Sequence, residues 1–257
     1  MRVVTLLENT ASSSDVTPQH GLSLYIETGK GKILFDMGQD DTFACNAQRL
    51  GIDLTQVDFA VLSHGHYDHG GGLAAFLRIN KNAPVYIHKD AFGQYYNGVE
   101  KYIGLDSALQ SENRLIFTSG AVQISPDLTL SDCNDLGWSI NSWGLNQKRN
   151  GVFLADTFHH EQYLQITEGQ KRILISGCSH KGIVNIADHF QPDVLFGGFH
   201  LSKQEDPEKL EQIARHLLSG NTTYYTGHCT GEKQYHIMKT IMGERLQRIS
   251  TGTEFKI

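Results

Sequence analysis

The feature that most constrains the fold is a short apolar strand that runs directly into a cluster of polar side chains. Residues 58–63 predict a buried strand, because the stretch is largely apolar and too short for a helix. Four side chains of the kind that bind metals follow within six residues: His64, His66, Asp68 and His69. Three glycines come next and allow close approach of backbone. A rigid strand end of this kind predicts a functional site.

Three further histidines follow predicted strands elsewhere in the chain. His180, His200 and His228 each come after an apolar stretch and each lies close to glycine. In open α/β sheets, functional sites collect where the strands end. We therefore expect these three imidazoles to meet the first cluster in one cleft.

The mixture of residue types indicates metal chemistry. Imidazole suits zinc, iron and copper, while a carboxylate adds charge for a harder cation. Catalytic zinc keeps an open position for water, and two ions together can share a nucleophile. A single buried histidine is usually a hydrogen-bonded core residue, and seven histidines are assigned to surface or structural roles: His20, His88, His159, His160, His189, His216 and His236. Cys178 and Cys229 flank two of the candidate ligands. They are extra ligands, redox-sensitive neighbours of the ligands or small buried residues packed under the site, and we favour the last interpretation.

Strand-like and helix-like segments alternate along most of the chain, which predicts one layered α/β domain spanning residues 1–257. Strands are predicted near residues 1–8, 20–28, 32–35, 58–63, 84–88, 164–167, 172–176, 194–197, 222–226 and 253–257. Helices are predicted near residues 41–50, 73–79, 182–190, 206–218 and 232–242. The pattern loosens at about residues 90–150, which form either a lid or insertion on the substrate side or a set of irregular strands.

The bulk composition excludes several classes of protein. The net charge of −6 argues against a surface that coats nucleic acid, so no nucleic-acid partner is expected. No segment approaches the roughly 18 to 20 apolar residues that cross a bilayer, and the N-terminus lacks the pattern of a signal peptide. The four cysteines show no CxxC spacing and are expected to be reduced thiols in a cytoplasmic protein.

The segment His64–His69, with the pattern HxHxDH, resembles the metallo-β-lactamase-fold hydrolases. The later segments Gly177–His180, Gly197–Leu201 and Thr226–Gly231 resemble the branch of 7,8-dihydropterin-6-methyl-4-(β-D-ribofuranosyl)-aminobenzene-5′-phosphate synthase-like proteins. The resemblance implies a four-layer αββα sandwich with Zn²⁺ at one edge, as one or two ions, and with Mn²⁺ or Fe²⁺ as alternatives. By this resemblance two sets of residues hold the ions: His64, His66 and His180 the first, and Asp68, His69 and His228 the second.

One departure from the family pattern concerns the aspartate that usually bridges the two ions. The corresponding interval offers only Asp188 and Asp193, both in or beside a predicted helix, while the strand end carries His200. Either His200 replaces the aspartate or the ions share only solvent, and the second site is then weaker or empty.

The resulting functional hypothesis is a hydrolase in which a metal-bound hydroxide attacks phosphorus or a carbonyl carbon. Asp68 would bind the second ion and orient the nucleophile, and His200 would protonate the leaving group or anchor the substrate. The resemblance favours an anionic small-molecule substrate with a phosphoester or cyclic phosphate. Four cationic residues either contact that anion or are ordinary solvated side chains: Lys148, Arg149, Lys181 and Lys203.

Three alternatives use the same ligands. A mono-iron dioxygenase would carry out sulfur or oxygen chemistry, a nuclease would process nucleic acid, and a binding module would keep the metal without turnover. The sequence does not specify the substrate, the metal or the oligomeric state.

Overall fold

Two seven-stranded β-sheets packed face to face form the centre of the protein, and the computed structural model describes residues 1–257. The strands are β1 Arg2–Leu7, β2 Ser23–Thr28, β3 Gly31–Phe35, β4 Phe59–Val61, β5 Val85–His88, β6 Tyr95–Asn97, β7 Lys101–Tyr102, β8 Leu115–Thr118, β9 Ala121–Ser125, β10 Leu128–Ser131, β11 Leu145–Arg149, β12 Val152–Ala155, β13 Tyr163–Glu168, β14 Lys171–Ile175, β15 Val194–Phe196, β16 Thr223–Thr226, β17 Leu246–Arg248 and β18 Glu254–Lys256. The helices are α1 Thr42–Arg49, α2 Tyr67–Gly70, α3 Leu73–Ile79, α4 Ile183–Phe190, α5 Pro207–Ser219 and α6 Glu232–Met242.

The first sheet has the strand order β18-β1-β2-β3-β4-β5-β8, and the second has the order β17-β16-β15-β14-β13-β10-β9. Strands β3, β4, β5 and β8 pair in parallel, as do β14, β15, β16 and β17. Within each parallel set the carboxyl ends of the strands therefore lie at one edge of the sheet, where α/β proteins assemble their sites.

Three apolar layers hold the sandwich together. Alternate residues of a strand point to opposite faces, and in β3 this places Ile33 and Phe35 between the sheets while Leu34 packs towards α1 and α3. In β15, Leu195 likewise packs with α4, α5 and α6 on the outer face of the second sheet. Both faces of each sheet are thus covered, which gives the predicted four-layer αββα arrangement.

The loosely patterned region at about residues 90–150 contains six strands, β6 to β11, and β12 follows directly after it. Strands β8, β9 and β10 extend the two main sheets, whereas β6, β7, β11 and β12 form a separate four-stranded sheet in the order β12-β11-β6-β7. Irregular strands therefore explain the loose pattern, and the role of this region as a lid or insertion of one domain stays a prediction. Strand β17 has only three residues directly after a helical segment, and the sequence pattern did not predict it.

The glycines after the histidine cluster allow α2 and α3 to lie against the end of β3. A Cβ atom on Gly71 would lie 2.1 Å from the carbonyl oxygen of Gln39, and one on Gly72 would lie 2.2 Å from that of Met37. A side chain at either position would force these backbones apart. The glycines therefore fix the position of α2, which carries Asp68 and His69. None of the helices is long and apolar enough to cross a membrane.

Candidate metal centre

All seven side chains predicted for the site lie together at the strand ends of the two sheets. The first sheet contributes the segment after β4, in which His64 precedes α2 and His66 is its N-cap residue. The second sheet contributes one histidine after each of three neighbouring parallel strands: His180, His200 and His228. Because the sheets pack face to face, the two groups meet at the floor of a cavity of about 500 Å³.

His64 and His180 form the first pair of facing imidazoles, with their Nε2 atoms 3.3 Å apart. The Ser63 hydroxyl donates to Asp36 at 2.7 Å and so accepts from His64 Nδ1 at 2.8 Å. This leaves the lone pair of His64 on Nε2, pointing to its partner. The ring of His66 lies 4.5 Å from that of His64, and its Nε2 is buried without a hydrogen-bond partner.

His69 and His228 form the second pair, with their Nε2 atoms 3.1 Å apart. His69 Nδ1 donates to the Asp36 carboxylate at 2.6 Å, and His228 Nδ1 donates to the Asn9 amide oxygen at 3.0 Å. The same oxygen of Asn9 accepts from the backbone amide of Gly21, which fixes it as an acceptor. When both rings are neutral, two lone pairs therefore face each other.

Facing lone pairs are the arrangement that a bound cation requires. Two nitrogen ligands of a tetrahedral zinc ion, each at about 2.0–2.1 Å, lie about 3.3 Å apart. The Nε2 separations of 3.3 Å for His64 with His180 and 3.1 Å for His69 with His228 match that spacing. The Nε2 atom of His66 is also buried without a hydrogen-bond partner, so it is a further nitrogen ligand available to a cation. The residues present therefore fit a metal site.

Asp68 provides the carboxylate of this cluster. Its Oδ2 lies 3.2 Å from His20 Nε2, 3.5 Å from His228 Nε2 and 3.9 Å from His69 Nε2. Burial opposes the charged form, but the nearby imidazoles of His69, His20 and His228 outweigh it and hold the pKa of Asp68 well below its usual value. Asp68 is therefore ionised at neutral pH.

The two imidazole pairs differ in their electrostatics. Burial lowers the pKa of both His64 and His180 well below the usual value, and neighbouring imidazoles lower it further. Burial also opposes charge on His69, but the carboxylates of Asp36 and Asp68 raise its pKa to about 9. The first pair is thus neutral, whereas the second pair lies in a field that favours a cation.

His200 lines the same cavity beside the first pair. Its ring lies 4.1 Å from that of His180, its backbone amide donates to Cys229 Sγ at 3.3 Å, and its Nδ1 is buried without a partner. Its φ of 50° lies in the left-handed region, which is uncommon for a residue with a side chain. Such backbone strain is typical of functional sites.

Several residues at the centre are missing from the sequence prediction of the site: His20, Asp36, Asp156, His160 and Cys178. Asp156 Oδ2 lies 3.1 Å from His160 Nε2 and 3.8 Å from His66 Nε2. Cys178 Sγ lies 3.1 Å from His69 Nε2. Two sequence signals were available: Asp36 lies at the end of β3, and Cys178 lies two residues before His180. The other three residues are distant in sequence from the predicted ligands.

Three of the four candidate anion contacts do not reach the cavity. Lys181 is buried, and its ammonium donates to the Asp132 and Glu161 carbonyls and to the Asn134 side chain, so it is neither a substrate contact nor a solvated lysine. The Lys148-Arg149 dipeptide lies on β11 outside the cavity lining.

The two aspartates considered as a bridge also lie elsewhere. Asp188 is exposed and pairs with His216 at 2.8 Å, and Asp193 accepts from the Arg172 backbone amide at 2.7 Å. No aspartate from the interval between His180 and His228 lines the cavity.

The cavity lining carries charges of both signs, and two of its lysines are without carboxylate partners. Lys101 on β7 and Lys203, three residues after His200, both line the opening. The Lys101 ammonium lies 3.4 Å from the Tyr67 hydroxyl, and the Lys203 ammonium donates to the Trp143 carbonyl at 2.7 Å. Neither lysine forms a salt bridge, so both charges are available to an anion.

A family comparison agrees with this fold and site. The model of the metallo-beta-lactamase superfamily matches residues 16–228, which include every histidine of the two facing pairs. The chain therefore belongs to the metallo-β-lactamase superfamily.

Comparison with individual proteins shows which members of the superfamily this chain is similar to. The 7,8-dihydropterin-6-methyl-4-(beta-D-ribofuranosyl)-aminobenzene-5′-phosphate synthase of Methanocaldococcus jannaschii is 28% identical over 284 residues, covering 100% of this chain and 96% of that protein. An uncharacterised protein of the same organism is 32% identical, covering 89% of this chain and 90% of its own length. The crystal structure of Tm1679, a metal-dependent hydrolase of the β-lactamase superfamily, has a TM-score of 0.85 at 30% identity and covers 100% of this chain and 99% of its own. The fold and the branch inferred from the sequence are thereby confirmed.

Proposed function

We propose that this protein is a metal-dependent hydrolase that acts on an anionic small molecule carrying a phosphoester or a cyclic phosphate. The observation that carries the proposal is the convergence of two facing imidazole pairs at the floor of a cavity with lysines at its rim. Membership of the superfamily and the similarity to a metal-dependent hydrolase support the reaction class.

We assign Zn²⁺ as the metal, as one or two ions, and Mn²⁺ or Fe²⁺ would suit the same donors. The proposed ligands are His64, His66 and His180 for the first ion, and Asp68, His69 and His228 for the second. When bound, such ions act as Lewis acids and lower the pKa of water to about 7, which provides a nucleophile at neutral pH.

Asp68 has two roles in this proposal. Its ionised carboxylate would hold the second ion, and its other oxygen would accept a hydrogen bond from water and so orient it. The contact of 3.2 Å from His20 Nε2 to Asp68 Oδ2 holds the carboxylate in place. Asp68 is therefore the residue whose loss should most reduce turnover without emptying the first site.

His200 is the residue that we assign to the leaving group. Its imidazole lines the cavity next to the His180 ring, and neither is restrained by an acidic partner. An imidazole can donate a proton to a departing oxygen near neutral pH. We propose this role for His200. The alternative role is that its imidazole anchors the substrate through a hydrogen bond.

The proposed substrate class rests on the charge of the rim. Lys101 and Lys203 both line the cavity and are free of carboxylate partners, and ammonium groups are common ligands of phosphate. The name of the M. jannaschii relative describes a 5′-phosphate compound, which supports an anionic substrate. All four cysteines are free thiols, and we propose the cytoplasm as the location.

The test is removal of metal followed by its return. The purified protein is stripped with a chelator and assayed against a panel of phosphodiesters, cyclic phosphates, phosphomonoesters and a lactam, before and after addition of Zn²⁺ or Mn²⁺. We expect activity on a phosphate substrate that is lost on stripping and restored by one of the ions. Full activity of the stripped protein would refute the proposal.

A matched pair of carboxylate variants tests the site itself. Asp68→Asn should lower kcat by about 100-fold or more, since general-base positioning contributes about 10²–10⁴-fold. Asp188→Asn should leave kcat unchanged, because Asp188 is exposed, contacts His216 and lies outside the cavity lining. Equal effects of the two substitutions would contradict the assignment.

A further inference from the structure

Cys178 lies between the two imidazole pairs. Its Sγ is 3.1 Å from His69 Nε2 in the second pair. The same sulfur forms one compact group with His64 and His180, and another with His69 and His228, each with its donor atoms within 4.8 Å of one another. Cys178 is thus a side chain common to both pairs.

The surroundings of Cys178 differ from those of a cysteine that only fills space. Cys133 is also buried, and it belongs to the apolar core between the second sheet and its helices. Cys178 is only 3% exposed, yet it belongs to none of the apolar clusters and lies on the cavity wall. Its neighbours are imidazoles and a second thiol rather than apolar side chains.

No nearby carboxylate is free to take the position between the pairs. Asp36 already accepts from the Ser63 amide, the Ser63 hydroxyl and His69 Nδ1, at 2.6–2.7 Å. Asp156 contacts His160 on the far side of His66. Asp68 approaches the second pair alone.

The backbone supports Cys178 as part of a built site. Cys178 lies in the turn after β14 and comes directly after Gly177. A Cβ atom on Gly177 would lie 2.2 Å from the Ser63 hydroxyl oxygen and 3.1 Å from His64 Nδ1. Only a glycine lets the turn approach the His64 segment this closely. The close approach brings the next residue, Cys178, to the level of both pairs.

From this placement we propose that the Cys178 thiolate bridges the two metal ions, in the position where this superfamily usually has an aspartate. The proposal rests on the proposed function, because it requires both ions. On binding, the S–H bond breaks, the proton passes to solvent, and the sulfur donates one lone pair to each ion. Thiolate is a strong ligand of zinc, at about 2.3 Å.

The first test is titration with Co²⁺, whose thiolate complexes absorb in the near ultraviolet. The stripped wild-type protein should bind two equivalents, and the thiolate-to-cobalt absorption should grow with both. In Cys178→Ser the absorption should disappear and the affinity for the second ion should fall at least 10-fold. In Cys178→Asp two ions should still bind, without the absorption, because the carboxylate restores a bridge.

Cys229→Ser is the matched control. Its thiol is buried nearby and accepts from the His200 amide, but it shares a candidate group with neither facing pair. The cobalt absorption should persist in this variant. Loss of the absorption in Cys229→Ser, or its persistence in Cys178→Ser, would overturn the proposal.

A second measurement on the wild-type protein does not depend on the folding of a variant. With two zinc ions bound per chain, X-ray absorption at the zinc edge should show one sulfur neighbour per zinc. Half a sulfur per zinc, the count for a terminal thiolate, would overturn the bridge. Zinc bound without any sulfur would overturn the bridge and leave the hydrolase intact. Failure of the wild-type protein to bind either metal would overturn both.

Discussion

The Nδ1 contacts of three histidines fix the direction in which their Nε2 lone pairs point. His64, His69 and His228 each donate from Nδ1 to an oxygen, supplied by Ser63, Asp36 and Asn9 respectively. Such outer contacts orient metal ligands and raise their basicity. At the scale of single residues, the site therefore depends on side chains that would not themselves touch an ion.

Asp36→Asn is the substitution that tests this dependence. The amide keeps the shape of the side chain but loses the charge that raises the pKa of His69 to about 9. We expect the affinity for the second ion to fall by about 10–100-fold, the range found for outer-sphere partners. Competition with a chromophoric chelator measures it.

Asp132→Asn is the control for that experiment. Asp132 is also buried and also pairs with a histidine, His88, at 3.1 Å, but it lies outside the cavity. This variant should lose stability without losing metal affinity. An equal loss of metal affinity in both variants would contradict the role of Asp36.

His160 predicts how the stability of the metal-free protein varies with pH. Burial lowers its pKa from 6.5 to about 4, although Asp156 favours the charged form. The unfolded chain therefore binds a proton at a higher pH than the folded one, so this contribution is complete above about pH 6.5 and is lost as the pH falls through 4. We expect the loss of this contribution to lower the free energy of unfolding by up to about 3 kcal/mol as the pH falls from 6.5 to 4.

Denaturant unfolding of stripped protein between pH 7 and pH 4 checks this dependence. His160→Asn should flatten the curve in that window. His216→Asn, at an exposed position on α5, should leave the curve unchanged. A wild-type curve without slope between pH 6.5 and 4 would contradict the prediction.

At the scale of elements, the small sheet formed by β6, β7, β11 and β12 supplies part of the cavity wall. Asn97, Lys101 and Leu145 from this sheet all line the opening. The sheet shares no strand with the two main sheets. We therefore expect this sheet to contact the substrate, while the proposed metal ligands all come from the ends of strands in the two main sheets.

Lys101→Ala should weaken binding of a phosphate substrate. A charge-assisted hydrogen bond contributes about 1.5–3 kcal/mol, which corresponds to a rise in KM of about 10-fold or more. The value of kcat should change little, because Lys101 lies at the rim. Lys148→Ala, on the same sheet but outside the cavity, is the control. A fall in kcat with unchanged KM would contradict the assignment to substrate binding.

The sequence predicted the helices and strands with a clear pattern of apolar residues and missed those without such a pattern. The strand before His64 and the helices α3 and α6 lie where the pattern placed them, because each has a long apolar repeat or sharp boundaries. The four strands of the small sheet are short and largely exposed, so they lack the alternation of a half-buried strand.

The same contrast holds within the candidate site. The HxHxDH motif can be recognised from the sequence alone because its four side chains lie within six residues. Asp156 and Cys178 become neighbours of the histidines only when the two sheets pack together. A single aspartate or cysteine has no period or spacing that reveals such a contact. The ligand roles of the predicted residues stay predictions that the metal experiments test.

At the scale of the whole molecule, the candidate ligands come from both halves of the sandwich. His64 and His69 follow β4 of the first sheet, whereas His180 and His228 follow β14 and β16 of the second. A cation held by either facing pair would therefore connect the sheets. Binding to the folded state alone stabilises that state.

Metal removal should consequently lower the melting temperature. At a free ion concentration of about 1,000 times Kd the stabilisation is about 4 kcal/mol, which for a chain of this size corresponds to about 10 °C. Calorimetry before and after chelation measures the shift. The double variant His64→Ala/His180→Ala should show a smaller shift, and an identical shift in it would contradict the first pair as ligands.

The separate pairing of the four-stranded sheet has an evolutionary consequence. Because its strands pair only with one another, insertions or exchanges within residues 95–102 and 145–155 can reshape the mouth of the cavity while the buried imidazoles keep their positions. Chemistry and substrate preference can then diverge at different rates. A chimera that carries this segment from a relative would be the natural starting point for redirecting the enzyme to a new substrate.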